Sequence, residues 1–319
     1  MSDSTTTRTI AVQVDSRRSL TENIDEFTLT PVSGDALPAW TAGSHIDLAT
    51  PGGIVRQYSL CSSADDLSNY RVAVERRPDS RGGSASIHSG LNVGDTTDIG
   101  APRNHFPLTR ALEYVFIAGG VGITPILALI EAVERVGRPW RLIYSGRTAD
   151  EMAYCGELSE QYTDRVAIQE TSTAGRVDFT EALADLPRGT AVYVCGPPAM
   201  VEDVTTACAD LPAVDVFSEK FVAADGQTLT NTPFQIDLAM SGLTTVVPAD
   251  RTILDVLDDA GVITVSSCRD GICGTCEVGV VSGEVDHRDT VLTPEERAEN
   301  ESMMICVSRC TSGRLVLEL

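Results

Sequence analysis

Four cysteines near the C-terminal end constrain this chain more than any other feature. Cys268, Cys273 and Cys276 follow the pattern C-x4-C-x2-C, and Cys306 follows after 29 intervening residues. Together with Cys310 they account for five of nine cysteines within the last 52 of 319 residues. Thiols clustered in this way, in a chain expected to be cytosolic, point to metal binding or redox chemistry and away from disulfides. The segment must therefore turn tightly enough to converge three sulfurs and fold back far enough to return a fourth. Gly271 and Gly274 lie inside the loop. Bending around a metal centre and aiming amide N–H groups at its ligands leaves little room for a Cβ there.

Three thiolates on one loop, with a fourth from a distant segment, is the ligand arrangement of plant-type [2Fe–2S] proteins. The competing readings are a zinc site or a set of buried thiols. Zinc sites pair C-x2-C with a second such pair or with histidines. Here the first gap is four, and His287 is the only histidine nearby. Spacing alone leaves the fourth ligand open between Cys306 and Cys310. Composition narrows the class further. A net charge of −22 repels nucleic acid and anionic lipid, so neither is an expected partner. The acidic surface serves solubility or steers a basic redox protein. No apolar run approaches the roughly 20 residues of a membrane span. The start, Met1 to Arg8, lacks the basic and apolar regions of a secretory signal, so a cytoplasmic location is expected.

The chain reads as three domains. Through residues 1–110, short alternating runs (Ile10, Val12 and Val14; Phe27 and Leu29; Ile46 and Leu48; Tyr70, Val72 and Val74) are separated by turns such as Pro51-Gly52-Gly53 and Arg81-Gly82-Gly83-Ser84. Such spacing predicts an antiparallel barrel. Through 111–225 the rhythm changes. The apolar run Tyr114 to Ala118 ends in Gly119-Gly120-Val121-Gly122, and Ile126, Leu129, Ile130 and Val133 then share a helical face. Arg141 to Tyr144 and Ala191 to Val194 repeat the strand-then-loop theme, which predicts a parallel α/β sheet. Ala223 to Gln227 reads as a linker. Residues 232–319 open with a hairpin, Phe234 to Leu238 against Thr244 to Val247, followed by a helix near Ile253 to Ala260.

Two upstream stretches suit cofactors. Along a strand, Arg56 and Tyr58 of Arg56-Gln57-Tyr58-Ser59 share a face. A guanidinium can hold a phosphate, a phenol ring can stack on a flavin, and a serine hydroxyl can bond its N5. An edge strand with an exposed arginine explains the same four residues. Gly82-Gly83-Ser84 then opens a short helix whose N-terminus suits a phosphate. Further on, Gly119 to Pro125 joins a strand to a helix, where glycines admit a pyrophosphate and Pro125 fits the first turn. Cys195-Gly196-Pro197 follows another strand, and ligands of such sheets bind at the strands' carboxyl ends.

Taken in order, these motifs and the cysteine loop resemble the ferredoxin–NADP reductase superfamily. They are specifically similar to the phthalate dioxygenase reductase family, which includes the reductases of vanillate demethylases. Pro102 to Leu108 matches that family's motif at the end of the barrel, and Met304 to Arg309 its last-ligand segment. The resemblance spans nearly the whole chain. It implies a multidomain fold: a flavin-binding antiparallel β-barrel, a nucleotide-binding α/β sheet and an α+β, β-grasp ferredoxin domain. It implies FMN held by Arg56, Gln57, Tyr58, Ser59, Gly82, Gly83 and Ser84, with main-chain contacts around Val74 and Glu75; an acid at 75 departs from the family pattern. It further implies NADH held by Gly120, Gly122, Ile123, Thr124, Ser145, Arg147, Cys195, Gly196 and Pro197, although Arg147 leaves NADPH open. Cys195 is expected near the nicotinamide, and Glu219, in Phe217-Ser218-Glu219-Lys220-Phe221, near the flavin. Ser59, Cys195 and Glu219 are thus the expected catalytic positions. The iron ligands become Cys268, Cys273, Cys276 and Cys306.

NADH yields two electrons together and a [2Fe–2S] cluster accepts one, whereas a flavin handles both. The expected protein is an NADH-dependent reductase, a monomer serving a terminal oxygenase of the Rieske type, with a cytochrome P450 as the alternative partner. Two other classes compete: an electron carrier without a working flavin site, and a redox-sensing iron–sulfur protein. The intact upstream motifs argue against both.

Overall fold

The computed structural model of the protein describes residues 9–77, 82–219, 221, 231–266, 269, 271 and 274–319. The expected linker at 223–227, Arg81, Lys220 and two of the four expected ligand cysteines, Cys268 and Cys273, lie outside them. The chain packs as two compact units, Met1–Phe221 and Val222–Leu319.

The first unit begins with β1 (Ile10–Ser19), β2 (Ile24–Pro31), β3 (Ser44–Ala49), β4 (Val55–Ser59), β5 (Tyr70–Glu75), α1 (Gly83–Gly90), β6 (Thr96–Ile99) and β7 (Arg103–Asn104). Period-two patterning decides which face turns inward: Val12 and Val14 are buried, while Ala11 and Gln13 are exposed. The strands pair antiparallel in the order β4-β3-β6-β1-β2-β5, with β7 on β3. A bridge from Leu60 to Val72 joins the two ends and closes the expected barrel.

The same unit continues with β8 (Glu113–Gly119), α2 (Ile123–Arg135), β9 (Trp140–Gly146), α3 (Cys155–Gln161), β10 (Val166–Glu170), α4 (Thr171–Ala174), α5 (Phe179–Ala182), β11 (Thr190–Cys195), α6 (Pro198–Cys208) and β12 (Val214–Glu219). This sheet is parallel, in the order β10-β9-β8-β11-β12. Every residue of β11 is buried, as expected for a strand covered on both faces. Ile126, Leu129, Ile130 and Val133 of α2 turn into the core. The chain winds outward from β8 to β10, then returns to lay β11 on the other side of β8. That reversal is a topological switch point. Two tyrosine hydroxyls fasten the connector from the barrel. Tyr193 accepts from Thr109 N at 2.7 Å, and Tyr114 donates to Thr109 O at 2.9 Å.

The second unit contains β13 (Phe234–Leu238), β14 (Thr244–Val247), α7 (Ile253–Asp259), β15 (Glu277–Ser282), β16 (Val285–Asp286), α8 (Pro294–Glu299), β17 (Ser302–Met304), β18 (Arg309–Cys310) and β19 (Arg314–Leu317). The hairpin β13–β14 is antiparallel, β19 joins β13 in parallel, and β15 runs antiparallel to β19 and β17. Buried Ile253, Leu254, Val256 and Leu257 seat α7 in the core of this mixed sheet, the β-grasp arrangement. A Thr252–Asp255 capping box starts the helix. Buried Arg309 ties the unit together by donating to Arg251 O, Thr232 O and Pro248 O. No helix of the described residues is long and apolar enough to cross a membrane.

Candidate functional site

The Gly119–Pro125 loop and the Cys195-Gly196-Pro197 loop meet at the switch point. Because β8 and β11 pair with Ala118 opposite Cys195, their following loops leave the sheet side by side. Gly122 sits directly on the other loop. A Cβ there would lie 2.2 Å from Cys195 O and 2.6 Å from Cys195 C. Gly196 abuts Gly119 in turn. Pro197 then caps α6. Ser145, next to last in β9, lies opposite Gly119 and is buried, whereas Arg147 beyond the strand is exposed. Tyr144 spans the crevice floor, donating to Gly120 O at 3.1 Å and Ala153 O at 3.0 Å.

Not every expected side chain faces this crevice. Ile123 is fully buried in the core, and the Thr124 hydroxyl donates to Val121 O at 3.0 Å. The Ile123 N–H also bonds back to Gly120 O. Cys195 has no exposed surface, and burial, with Glu219 alongside, pushes its thiol well up. It lines the site as a small neutral group. Glu219 pairs with Cys195 across β12. The residue keeps some exposure, but its Oε2 is shielded from water and has no partner among the described residues. Burial lifts this carboxyl to about 8.

In the barrel, Arg56, Gln57 and Tyr58 are half-buried and Ser59 is buried. Arg56 lies against Gly83, where a Cβ would come within 2.9 Å of its side chain. A guanidinium and the first turn of α1 therefore converge, as a phosphate group requires. Burial pushes the Tyr58 phenol upward, in keeping with a ring set in an apolar surface. Ser84 is turned back to accept from Arg77 N at 3.2 Å. Val74 is buried, and its carbonyl is 2.9 Å from His88 Nε2; half-buried Glu75 pairs with Ile24.

Two supporting groups had no recognisable signal in the sequence. Asp25 accepts from Arg17 Nη2 at 2.6 Å and lies 3.3 Å from His88 Nδ1, bracing α1. Buried Glu26 accepts from Tyr154 OH at 2.8 Å, with Arg18 and Arg71 beside it. Tyr154 stands just before α3 at φ 60°, so this contact joins barrel and parallel sheet.

In the second unit, Glu277 pairs with Met304 and Ile305 N donates to Cys276 O. Cys276 and Cys306, both buried, are thereby drawn to one place. Cys310 is carried elsewhere, into β18 opposite Val285, with its sulfur 3.4 Å from Ser312 Oγ. Gly271 and Gly274 adopt positive φ. Two buried cysteines on adjoining backbone suit a thiolate-ligated cluster.

Comparison with known proteins follows these lines. Residues 236–311 match the 2Fe-2S iron-sulfur cluster binding domain. Residues 105–215 match the N-terminal domain of dimethylamine monooxygenase subunit DmmA-like proteins. Over 97% of its length the chain is 36% identical to phthalate dioxygenase reductase of Burkholderia cepacia, covering 97% of that protein. The chain belongs to the phthalate dioxygenase reductase family. It is an oxidoreductase with a C-terminal [2Fe–2S] domain. The carnitine monooxygenase reductase subunit of Escherichia coli (strain K12) is 40% identical over 97% of this chain and 98% of its own. The solved structure of a phthalate dioxygenase reductase, titled a modular structure for electron transfer from pyridine nucleotides to [2Fe-2S], superposes with TM-score 0.82, 36% identity and 98% coverage of both chains. An intact type IV self-sufficient cytochrome P450 monooxygenase gives TM-score 0.81 and 39% identity over 98% of this chain, which spans 41% of that one.

Proposed function

We propose that the protein oxidises NADH and delivers the electrons singly to a terminal oxygenase of the Rieske type, working as a cytoplasmic monomer. When bound, FMN accepts the electron pair of NADH and the [2Fe–2S] cluster passes electrons on one at a time. The observation that carries this reading is the seat of Gly122 on the Cys195 backbone at the switch point. It makes one crevice of two loops, with a half-buried acid on the next strand.

In this reading Arg56, Gly82, Gly83 and Ser84 hold the flavin phosphate, while Gln57, Tyr58 and Ser59 line its ring. Val74 and Glu75 contribute main-chain groups. Gly120, Gly122, Ile123 and Thr124 border the pyrophosphate. Ser145 and Arg147 flank the adenosine side, and Cys195, Gly196 and Pro197 the nicotinamide. Cys268, Cys273, Cys276 and Cys306 hold the iron. A P450 partner is the second reading, favoured by the 39% identity to the self-sufficient P450.

Protein purified without oxygen is expected to show flavin and iron–sulfur absorption, release a flavin of FMN mass, and reduce cytochrome c with NADH. Loss of both absorptions in a folded sample would sink the reading. Adding a Rieske oxygenase or a P450, each with its substrate, then separates the two partners.

Glu219 makes the reaction pH-dependent. A neutral carboxyl leaves the arriving electron pair unopposed, and an ionised one repels it. NADH oxidation is expected to slow as pH rises through about 8, and Glu219→Gln to remove that limb. The same shift bears on stability. The folded protein keeps a proton that the unfolded chain sheds above 4.5, so stability falls from there to about 8 and is level beyond. Stopped-flow rates with an unchanged pH profile in the variant would refute the assignment.

Nucleotide choice is expected to depend on Glu170, which ends β10 opposite Gly146 and accepts from Ala149 N at 3.2 Å. A 2′-phosphate arriving there meets a like charge. Glu170→Gln should raise NADPH use relative to NADH roughly tenfold. Equal kcat/KM ratios before and after would count against it.

A further inference from the structure

A carboxylate in the iron–sulfur unit is fully buried. The Asp289 side chain has no exposed surface. Its Oδ2 accepts from Val291 N at 3.0 Å and Leu292 N at 2.9 Å, and its Oδ1 from Ser308 Oγ at 3.4 Å. An asparagine oxygen could receive the two amides equally well. Burying the charge costs free energy, and the nearby cationic group, Arg297, is only loosely matched to it. Arg297 Nη2 donates to Asp289 O at 2.6 Å but lies 3.8 Å from Oδ2, and its side chain is 37% exposed. His287 Nδ1 is also 3.8 Å away.

The position links both cysteine-bearing segments. Thr290 N donates to Gly271 O at 2.8 Å, on the loop between Cys268 and Cys273. Gly271, at φ +71°, fits so closely that a Cβ would lie 2.5 Å from Val307 Cγ2 and 3.1 Å from Asp289 Cα. Val307 and Ser308 directly follow Cys306. Asp289 thus contacts the turn of one segment with its backbone and the start of the other with its carboxylate.

We propose that Asp289 is a positioning residue for the iron–sulfur site, clamping the loop of the first three cysteines to the Cys306 segment, and that its charge holds the cluster's potential down. The proposal rests on the cluster reading above. A fixed negative charge beside the cluster disfavours an added electron, and Arg297 partly offsets it.

The test is potentiometry of the purified full-length protein, read by cluster absorbance, for wild type, Asp289→Asn and Arg297→Gln. At a fixed applied potential, Asp289→Asn should raise the reduced-to-oxidised ratio roughly tenfold, which is 59 mV for one electron. Arg297→Gln should lower it. Opposite shifts are not produced by a residue that only fills space. An unchanged ratio in an iron-replete Asp289→Asn protein overturns the proposal. Should that variant fail to retain iron, an unchanged ratio in Arg297→Gln overturns it instead. A wild-type protein without iron would overturn the cluster reading itself.

Discussion

Cys306→Ser is expected to empty the iron site, while Cys310→Ser leaves it filled. The difference follows from strand register. Pairing of Glu277 with Met304 brings the residues just before and just after it, Cys276 and the Cys306 turn, to one end of the ladder. Their residues keep only 3% and 2% exposure, so a serine hydroxyl would replace a thiolate in a dry site. Cys310 belongs to a different ladder, paired with Val285. Iron per chain in Cys306→Ser should fall by more than roughly tenfold, because cluster binding and local folding share one free energy. Transfer from NADH to ferricyanide should persist, and cytochrome c reduction should be lost. Full iron and colour in Cys306→Ser, or their loss in Cys310→Ser, would break the assignment.

Gly122→Ala should have the second large effect. The new methyl group would meet Cys195 O at 2.2 Å and Gly196 N at 3.0 Å, all backbone atoms. Backbone cannot swing aside as a flexible side chain does, so the two loops must part. A displacement of about 1 Å at a reacting centre can cost 100-fold in rate. The kcat/KM for NADH should fall by about that factor while flavin and iron contents stay normal. Gly156→Ala is the control, since nothing lies within 4 Å of its added carbon. An unaffected rate in Gly122→Ala would show that the loops do not form the nucleotide seat.

Much of the fold was legible because it follows local patterning. Alternation along Ile10 to Val14 and Tyr70 to Val74, the helical stripe of α2 and the β13–β14 hairpin each follow from burying one face of a regular element. The candidate site residues were read from motifs whose spacing is itself chemistry, as in Arg56 to Ser59, Gly119 to Pro125 and the cysteine loop. Side-chain direction was not. Thr124 and Ile123 read as ligands from their position, yet packing turned the hydroxyl back to Val121 and the isoleucine into the core.

The sequence by itself determined the kinds of element and their order, because periodicity acts over a few residues. Only the tertiary structure decided which distant groups would meet. Glu26 reaches Tyr154 across 128 positions, Gly122 rests on Cys195, and Asp289 touches both cysteine-bearing segments. Such pairings depend on strand order and crossover direction, which emerge from the burial of whole sheets and are encoded in no short stretch of chain.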